Sequence, residues 1–320
     1  LNMKMLKIAN IIVLALSNLL ALGAERIPVG GQAVIEGVLM RGPKKWGLSV
    51  RRPEGDLWNT SWSNLPWTAA GIWRYPVFRG MATMAEMLTV GMRALSQSAQ
   101  IALGEEEKIT PREMILSVVV ALLAVVGLFV AFPVWLADRV APLLGASGLL
   151  KHLVEGVARA LVFIAYVGII GIWKDMARIF AYHGAEHKTI NAYEHDASLV
   201  PEVVARYSRI HQRCGTSFLL IVVAVSVVIF SLAGSGSLWW RALSRVFLLP
   251  FVIGISYELI KWSCRSGRTG ALLMKPALLL QYFTTREPDL EQIAVGVASL
   301  HAALEERESS PVAASEKSEE

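Results

Sequence analysis

MILSVVVALLAVVGLFVAFPVWLA, residues 114–137, runs for 24 residues without a charge before Asp138. A bilayer core about 30 Å thick takes roughly 20 apolar residues of helix, and regular helix is needed because hydrocarbon satisfies no open backbone N–H or C=O. This stretch is long enough to cross. Three more follow it. Leu153–Trp173 supplies 21 residues, with Glu155 and Arg159 held to its first two turns, where long side chains reach the headgroups. Thr216–Ala233 has 18 residues, uncharged and rich in β-branched side chains. Leu238–Lys261 is the least regular, carrying Arg241, Arg245 and Glu258. The simplest placement sets those three at the helix ends. Glu258 stays open, because intramembrane carboxylates usually face a protein interior or a watery cavity.

The whole chain agrees with this start. Of 320 residues, 54% are hydrophobic and 18% charged, with a mean hydropathy of +0.48. A disordered chain is excluded, and an ordinary soluble enzyme fits poorly. Two cysteines make no disulfide framework. The net charge is +5, but most cations flank apolar segments, which suits an anionic lipid surface rather than the continuous basic face that nucleic acid requires. The bilayer is the expected partner, and nucleic acid is not.

The cations also give orientation. Residues 23–113 carry 11 Lys/Arg, 138–152 two, 174–215 six, 234–237 none and 261–320 seven. Four spans with both flanks and the 174–215 loop in the cytoplasm meet the positive-inside rule. The expectation is a mainly α, polytopic membrane protein of the cell (inner) membrane. It has about four transmembrane helices, a small β-containing N-terminal cytoplasmic region and cytoplasmic helices.

Residues 1–22 form a separate unit, with Lys4 and Lys7 before the short apolar run Ile8–Leu22. This reads as an uncleaved anchor or as sequence upstream of the true start, rather than a signal peptide, whose cleavage would export the 11 cations that follow. Residues 27–113 hold a Gly-rich segment, a short β region and a helix. Leu48–Arg52 and Leu57–Trp62 flank Pro-Glu-Gly-Asp, a turn between two strands. Five tryptophans between 46 and 73 suit a folded cap or an interfacial belt. Phe78–Leu103 reads as a helix on the membrane or against the spans. Residues 114–262 form the four-helix membrane domain. In 263–308, Gly270–Gln281 is apolar but too short to cross, and 285–307 reads as a charged amphipathic helix. Residues 309–320 read as disordered.

Five of the six histidines lie between 152 and 211, and Tyr182–Lys188 contains H-x-x-E-H. On a helix, His183 and His187 are one turn apart on one face, with Glu186 beside them. Two imidazoles and a carboxylate at this spacing suit a metal, expected to be zinc, and a base for water. A helix that carries two histidines for no chemical reason is the plainer account. A catalytic zinc site takes a third protein ligand. Glu258 ranks first, then His211, then Cys214 and Glu194, the last being two turns from His187. Cys214 is equally a small buried thiol. Lys188 and Arg213 are candidates to stabilise an oxyanion. In Gly30–Pro43, four glycines surround Gln32, Glu36 and Arg41. Either a loop folds into a cavity and carries those polar groups to the site, or a tight Gly-rich turn precedes the β region. No phosphate-loop pattern is present.

GGQAVIEGVLMRGP (30–43), YHGAEHKTINAYE (182–194), RCGTSFL (213–219), ISYEL (255–259) and QYFTTREPDLEQ (281–292) together resemble the YqhQ-like family of bacterial multi-pass membrane proteins, across roughly residues 27–305. The resemblance implies a membrane location and weight on the His/Glu cluster. It also implies a metal-dependent enzyme, but no substrate. The leading expectation is therefore a membrane-embedded, metal-dependent hydrolase, a peptidase among the options, acting at the cytoplasmic face on a membrane-proximal substrate. The alternative is a non-enzymatic membrane scaffold that binds a protein partner, a biogenesis factor or a metal-ion-handling protein.

Overall fold

The computed structural model describes residues 29–69, 71–103, 110–212, 214–232, 234 and 238–304. The expectations for residues 1–22, for Arg213 and for residues 309–320 lie outside them.

Among the described residues, four helical stretches are long and apolar enough to cross a membrane: Ile115–Leu143, Leu150–Ile170, Gly215–Leu232 and Leu243–Arg265. The first consists of α2 (Pro111–Val126), a π turn (Gly127–Ala131) and α3 (Phe132–Leu143). Thr110 and Glu113 close a capping box at its start, satisfying backbone donors that the helix leaves open. The other three are α4 (Leu149–Ile170), α7 (Gly215–Leu232) and α8 (Leu238–Arg265). Much of their surface is apolar and outward, as a lipid solvent allows.

The charges near the span ends behave differently from expectation. Glu155, Arg159 and Arg245 do not reach out to headgroups; all three are buried. Arg245 holds Glu155 through both carboxylate oxygens, at 2.9 and 2.6 Å. Arg159 reaches the same carboxylate at 2.8 Å and spends its Nε on the Phe129 carbonyl, 2.9 Å away in the π turn. A π turn shifts the hydrogen-bond register and leaves a carbonyl open to an outside donor. The physical reason for the correction is pairing: low dielectric makes an isolated charge costly and a paired, hydrogen-bonded one tolerable.

Outside the spans, β1 (Gly30–Val34), β2 (Gly37–Arg41), β3 (Lys45–Arg51) and β4 (Leu57–Ser63) form one antiparallel meander. The expected β3–β4 hairpin is present, with Arg51 opposite Leu57. The Gly-rich segment is itself a hairpin rather than a loop, and Val34 pairs with Gly37 across Ile35-Glu36. Glu36 takes the positive φ of 51° that so short a connection demands. One face of the sheet packs on α1 (Phe78–Leu103), where Trp46, Leu48 and Val50 meet Ala94. The other receives α10 (Leu290–Leu304), which also packs on α5 (Lys174–Glu194). The C-terminal helix, read from the sequence as charged and amphipathic over 285–307, spans Leu290–Leu304, and its apolar residues Ile293, Val295 and Leu300 are fully buried because sheet and helix cover it from two sides. A short α6 (Pro201–Val204) follows α5, and α9 (Gly267–Thr284) packs on α7 and α8.

Candidate metal centre

The face of α5 that carries His183, Glu186, His187 and Ile190 lines a cavity of about 270 Å³. β1 forms one wall with Gly31 and Gln32, and the start of α7 forms another with Cys214 and Thr216. Helical spacing of three and four residues puts these α5 side chains on one stripe. The cavity therefore lies where the sheet, α5 and the first turn of a span meet.

Both imidazoles are held from behind by backbone carbonyls. His183 Nδ1 lies 2.8 Å from Thr284 O, and His187 Nδ1 lies 2.6 Å from Arg209 O. A carbonyl can only accept, so each Nδ1 is the donor, and Nε2 is the ring nitrogen left to act as a ligand. His183 Nε2 lies 3.3 Å from Cys214 Sγ. His187 Nε2 is buried and makes no hydrogen bond. One ligand atom from each of His183, His187 and Cys214 lies within 4.8 Å of the others. The two rings are 4.4 Å apart, with His211 5.9 Å beyond His187.

Glu186 is 4% exposed, and its Oε2 makes no hydrogen bond. Burial pushes its carboxyl above the usual range, against the pull of His183 and His211. Burial likewise holds His187 and His211 below the ordinary imidazole value, which favours the neutral, ligating form. A buried imidazole nitrogen and carboxylate oxygen without partners, next to a thiol, form a donor set that fits a borderline-soft divalent cation such as zinc.

The remaining expected site residues are placed elsewhere. Glu258, ranked first as third ligand, is not in the cluster. Arg79 of α1 grips both its oxygens, with Nε at 2.6 Å from Oε1. His211 borders the cavity, but its Nε2 faces Glu194 Oε2 at 3.3 Å. Cys214 is the residue that lies with the two imidazoles. Lys188 points off the cavity face, donating to the carbonyls of Ala205 and Tyr207 and pairing with Glu287 at 2.5 Å. It ties down the loop that supplies the Arg209 carbonyl and has no free donor aimed at a substrate. Arg41 pairs with Glu86 at 2.8 Å and lies over Trp46. Glu36 pairs with Arg178 and Tyr182 at the hairpin tip. Of the three polar groups in the Gly-rich segment, Gln32 alone borders the cavity, wedged against Gly91.

Sequence reasoning gave no role to Gly31, Thr284, Arg209 or Gln281. Gln281 is fully buried, accepting from His211 N at 2.8 Å and donating to His211 O at 2.7 Å and to Ser217 Oγ at 2.8 Å. Gln281 and Thr284 fall within QYFTTREPDLEQ, so the signal was a motif without an assigned chemistry. The Thr284 and Arg209 contributions come from backbone carbonyls, which no side-chain pattern reveals.

Four candidate spans joined to a small sheet, with a His/Cys/Glu cluster at the junction, define a helical membrane protein. The chain belongs to the family described as "Protein of unknown function (DUF1385)", which it matches over residues 75–306. It is 32% identical over 298 residues to "Uncharacterized protein YqhQ" of Bacillus subtilis (strain 168), covering 86% of this chain and 92% of that protein. No solved structure matches.

Proposed function

We propose that this protein is a membrane-embedded, metal-dependent hydrolase with its site at the cytoplasmic face. The observation that carries the reading is the pair of imidazoles whose Nδ1 atoms are committed to backbone carbonyls, with Cys214 across from them and the open carboxylate oxygen of Glu186 beside them. Carbonyl-anchored histidines are the usual outer support of metal-ligating imidazoles.

His183, His187 and Cys214 would hold the ion, three protein ligands being the number that catalytic zinc sites use. A divalent cation held there supplies a Lewis acid and makes water acidic enough to attack at neutral pH. Glu186 takes the proton from the attacking water at its unpartnered oxygen and returns it to the leaving group. The apolar walls, with Ile179, Phe180 and Ile190, exclude bulk water and favour an apolar or acyl portion of the substrate. The excess of Lys/Arg in residues 23–113, 174–215 and 261–320 supports a cytoplasmic orientation for the cluster.

The test is elemental analysis of the full chain purified in detergent, beside His183→Ala, His187→Ala, Cys214→Ser and Glu186→Gln. Near-stoichiometric metal is expected in the parent and in Glu186→Gln, and none in the three ligand variants that still melt cooperatively. Hydrolysis of membrane-associated peptide or ester substrates is expected to be lost in Glu186→Gln. A parent that stays metal-free after loading with zinc would overturn the reading. A second reading, metal-ion handling without catalysis, rests on the same His183/His187/Cys214 cluster among apolar spans. It predicts bound metal with no turnover dependent on Glu186.

A further inference from the structure

We infer that residues 65–69 and 71–78 are a fifth membrane element, a short wedge that inserts into the headgroup and upper acyl layer beside the last span and anchors the sheet to the lipid surface. Two 3-10 helices, Trp67–Ala69 and Gly71–Arg74, fill this segment, and neither has a buried residue. Leu65 is 81% exposed, Ile72 51% and Tyr75 56%, with Trp67 and Trp73 close to half exposed. Five large apolar side chains within eleven positions, on a segment that packs so little of itself, give water nothing to order it. Single exposed apolar residues are ordinary; a contiguous run of this kind marks an interaction surface.

The contact with α8 fixes where the segment lies. The Val77 carbonyl sits so close to Gly254 that a Cβ there would overlap it, and Gly80 lies against Gly254 and Tyr257. Arg79 and the Val77 amide both bind Glu258. Gly254 is the middle residue of the span Leu243–Arg265. It lies seven residues before Lys261, or about 10 Å along the helix at 1.5 Å per residue. With Lys261 and Arg265 at the aqueous end of that span, Val77 lies below the headgroups. The same chain starts above them, because Asn64 is tied to the Gly42 carbonyl of the sheet at 2.8 Å and the Trp67 amide to Glu86 at 3.1 Å. The segment thus descends from the sheet to membrane depth and turns at Val77, whose φ is +68°. A β-branched residue rarely adopts that conformation, and here packing against the span holds it.

The composition matches this level of the bilayer. Trp and Tyr concentrate where one side of a ring meets hydrocarbon and the other meets water. Arg74 is exposed with its guanidinium 5.8 Å from the Tyr75 ring, an arrangement suited to an anionic lipid phosphate. The segment abuts α8 where the Val77 carbonyl meets Gly254, and α8 carries outward apolar side chains such as Leu243, Val246, Phe247 and Phe251, so lipid is the occupant it fits. The inference does not depend on metal or catalysis.

Spin labels at Ile72→Cys, Trp73→Cys and Tyr75→Cys, one at a time, test it in the full chain. The background carries Cys264→Ser, with residual labelling of buried Cys214 subtracted. The protein is placed in nanodiscs of zwitterionic and anionic phospholipid, and collision with oxygen is compared with collision with a water-soluble nickel chelate. Val120→Cys in the first span gives the lipid reference, and Asn59→Cys on β4 the water reference. The expected result is an oxygen-to-nickel ratio at all three sites near that of Val120 and several-fold above that of Asn59. A ratio equal to the Asn59 value at the three sites would overturn the inference. So would protection from both reagents, which would mean that a protein surface or a second copy covers the segment.

Discussion

The carboxylate of Glu186 lies against Gly31, so close that a side chain at position 31 would press on it. A Cβ built on Gly31 would stand 3.1 Å from Glu186 Oε1 and 2.5 Å from the Leu39 carbonyl across the hairpin. The Gly-rich segment serves the cavity by having no side chain there, so that β1 lies flush against α5. Gly31→Ala is expected to cost about 1–3 kcal/mol by overpacking and to displace Glu186. Thermal unfolding in detergent measures the first effect and, on the hydrolase reading, loss of turnover the second. A variant with parental stability and activity would remove this account of the glycine.

Gln281 holds the chain at His211, two residues beyond the carbonyl that orients His187. Gln281→Leu keeps the size but loses all three hydrogen bonds. On the metal reading, affinity should fall roughly 10- to 100-fold, as for other supporting residues around a metal. Competition against a chromogenic chelator measures this, and unchanged affinity would show that the His211 segment does not support the cluster.

Glu258 was the first-ranked third ligand by sequence, and its grip on Arg79 separates the two roles. Glu258→Gln is expected to leave metal content at the parental value and to lower stability by about 1–2 kcal/mol, the scale of a partly exposed charge-assisted pair. Elemental analysis with a melting curve decides it. Loss of metal at unchanged stability would restore Glu258 to the site.

Glu155 is shared by Arg159 and Arg245 inside the bundle. Glu155→Gln removes the carboxylate charge that both arginines share and is expected to cost about 3–5 kcal/mol, as when a buried pair loses one member. A shift in unfolding midpoint below 1 kcal/mol equivalent would mean that water or lipid phosphate replaces the carboxylate readily.

Much of the layout was legible in the chain. Span three was expected at Thr216–Ala233 and is Gly215–Leu232, and α1 is the expected Phe78–Leu103. Long uncharged runs and a helix-period pattern are local properties, so they survive without tertiary information. The five tryptophans do not share one placement. Trp46 is buried in the sheet core, Trp58 and Trp62 pack against it, and Trp67 and Trp73 are exposed. Position relative to the packed face decides this, and one residue type carries no signal of it.

The sequence by itself determined the four apolar helices, the β3–β4 hairpin and the single helical face shared by His183, Glu186 and His187, because each follows from spacing within one segment. Only the tertiary structure decided that Cys214 rather than Glu258 meets the two imidazoles, that Lys188 braces a loop, and that Glu155 pairs with Arg245 ninety positions away. Those outcomes depend on which carbonyl or charge lies opposite a side chain after helices from distant parts of the chain have packed. In a low-dielectric interior a buried polar group must take the partner that packing brings to it.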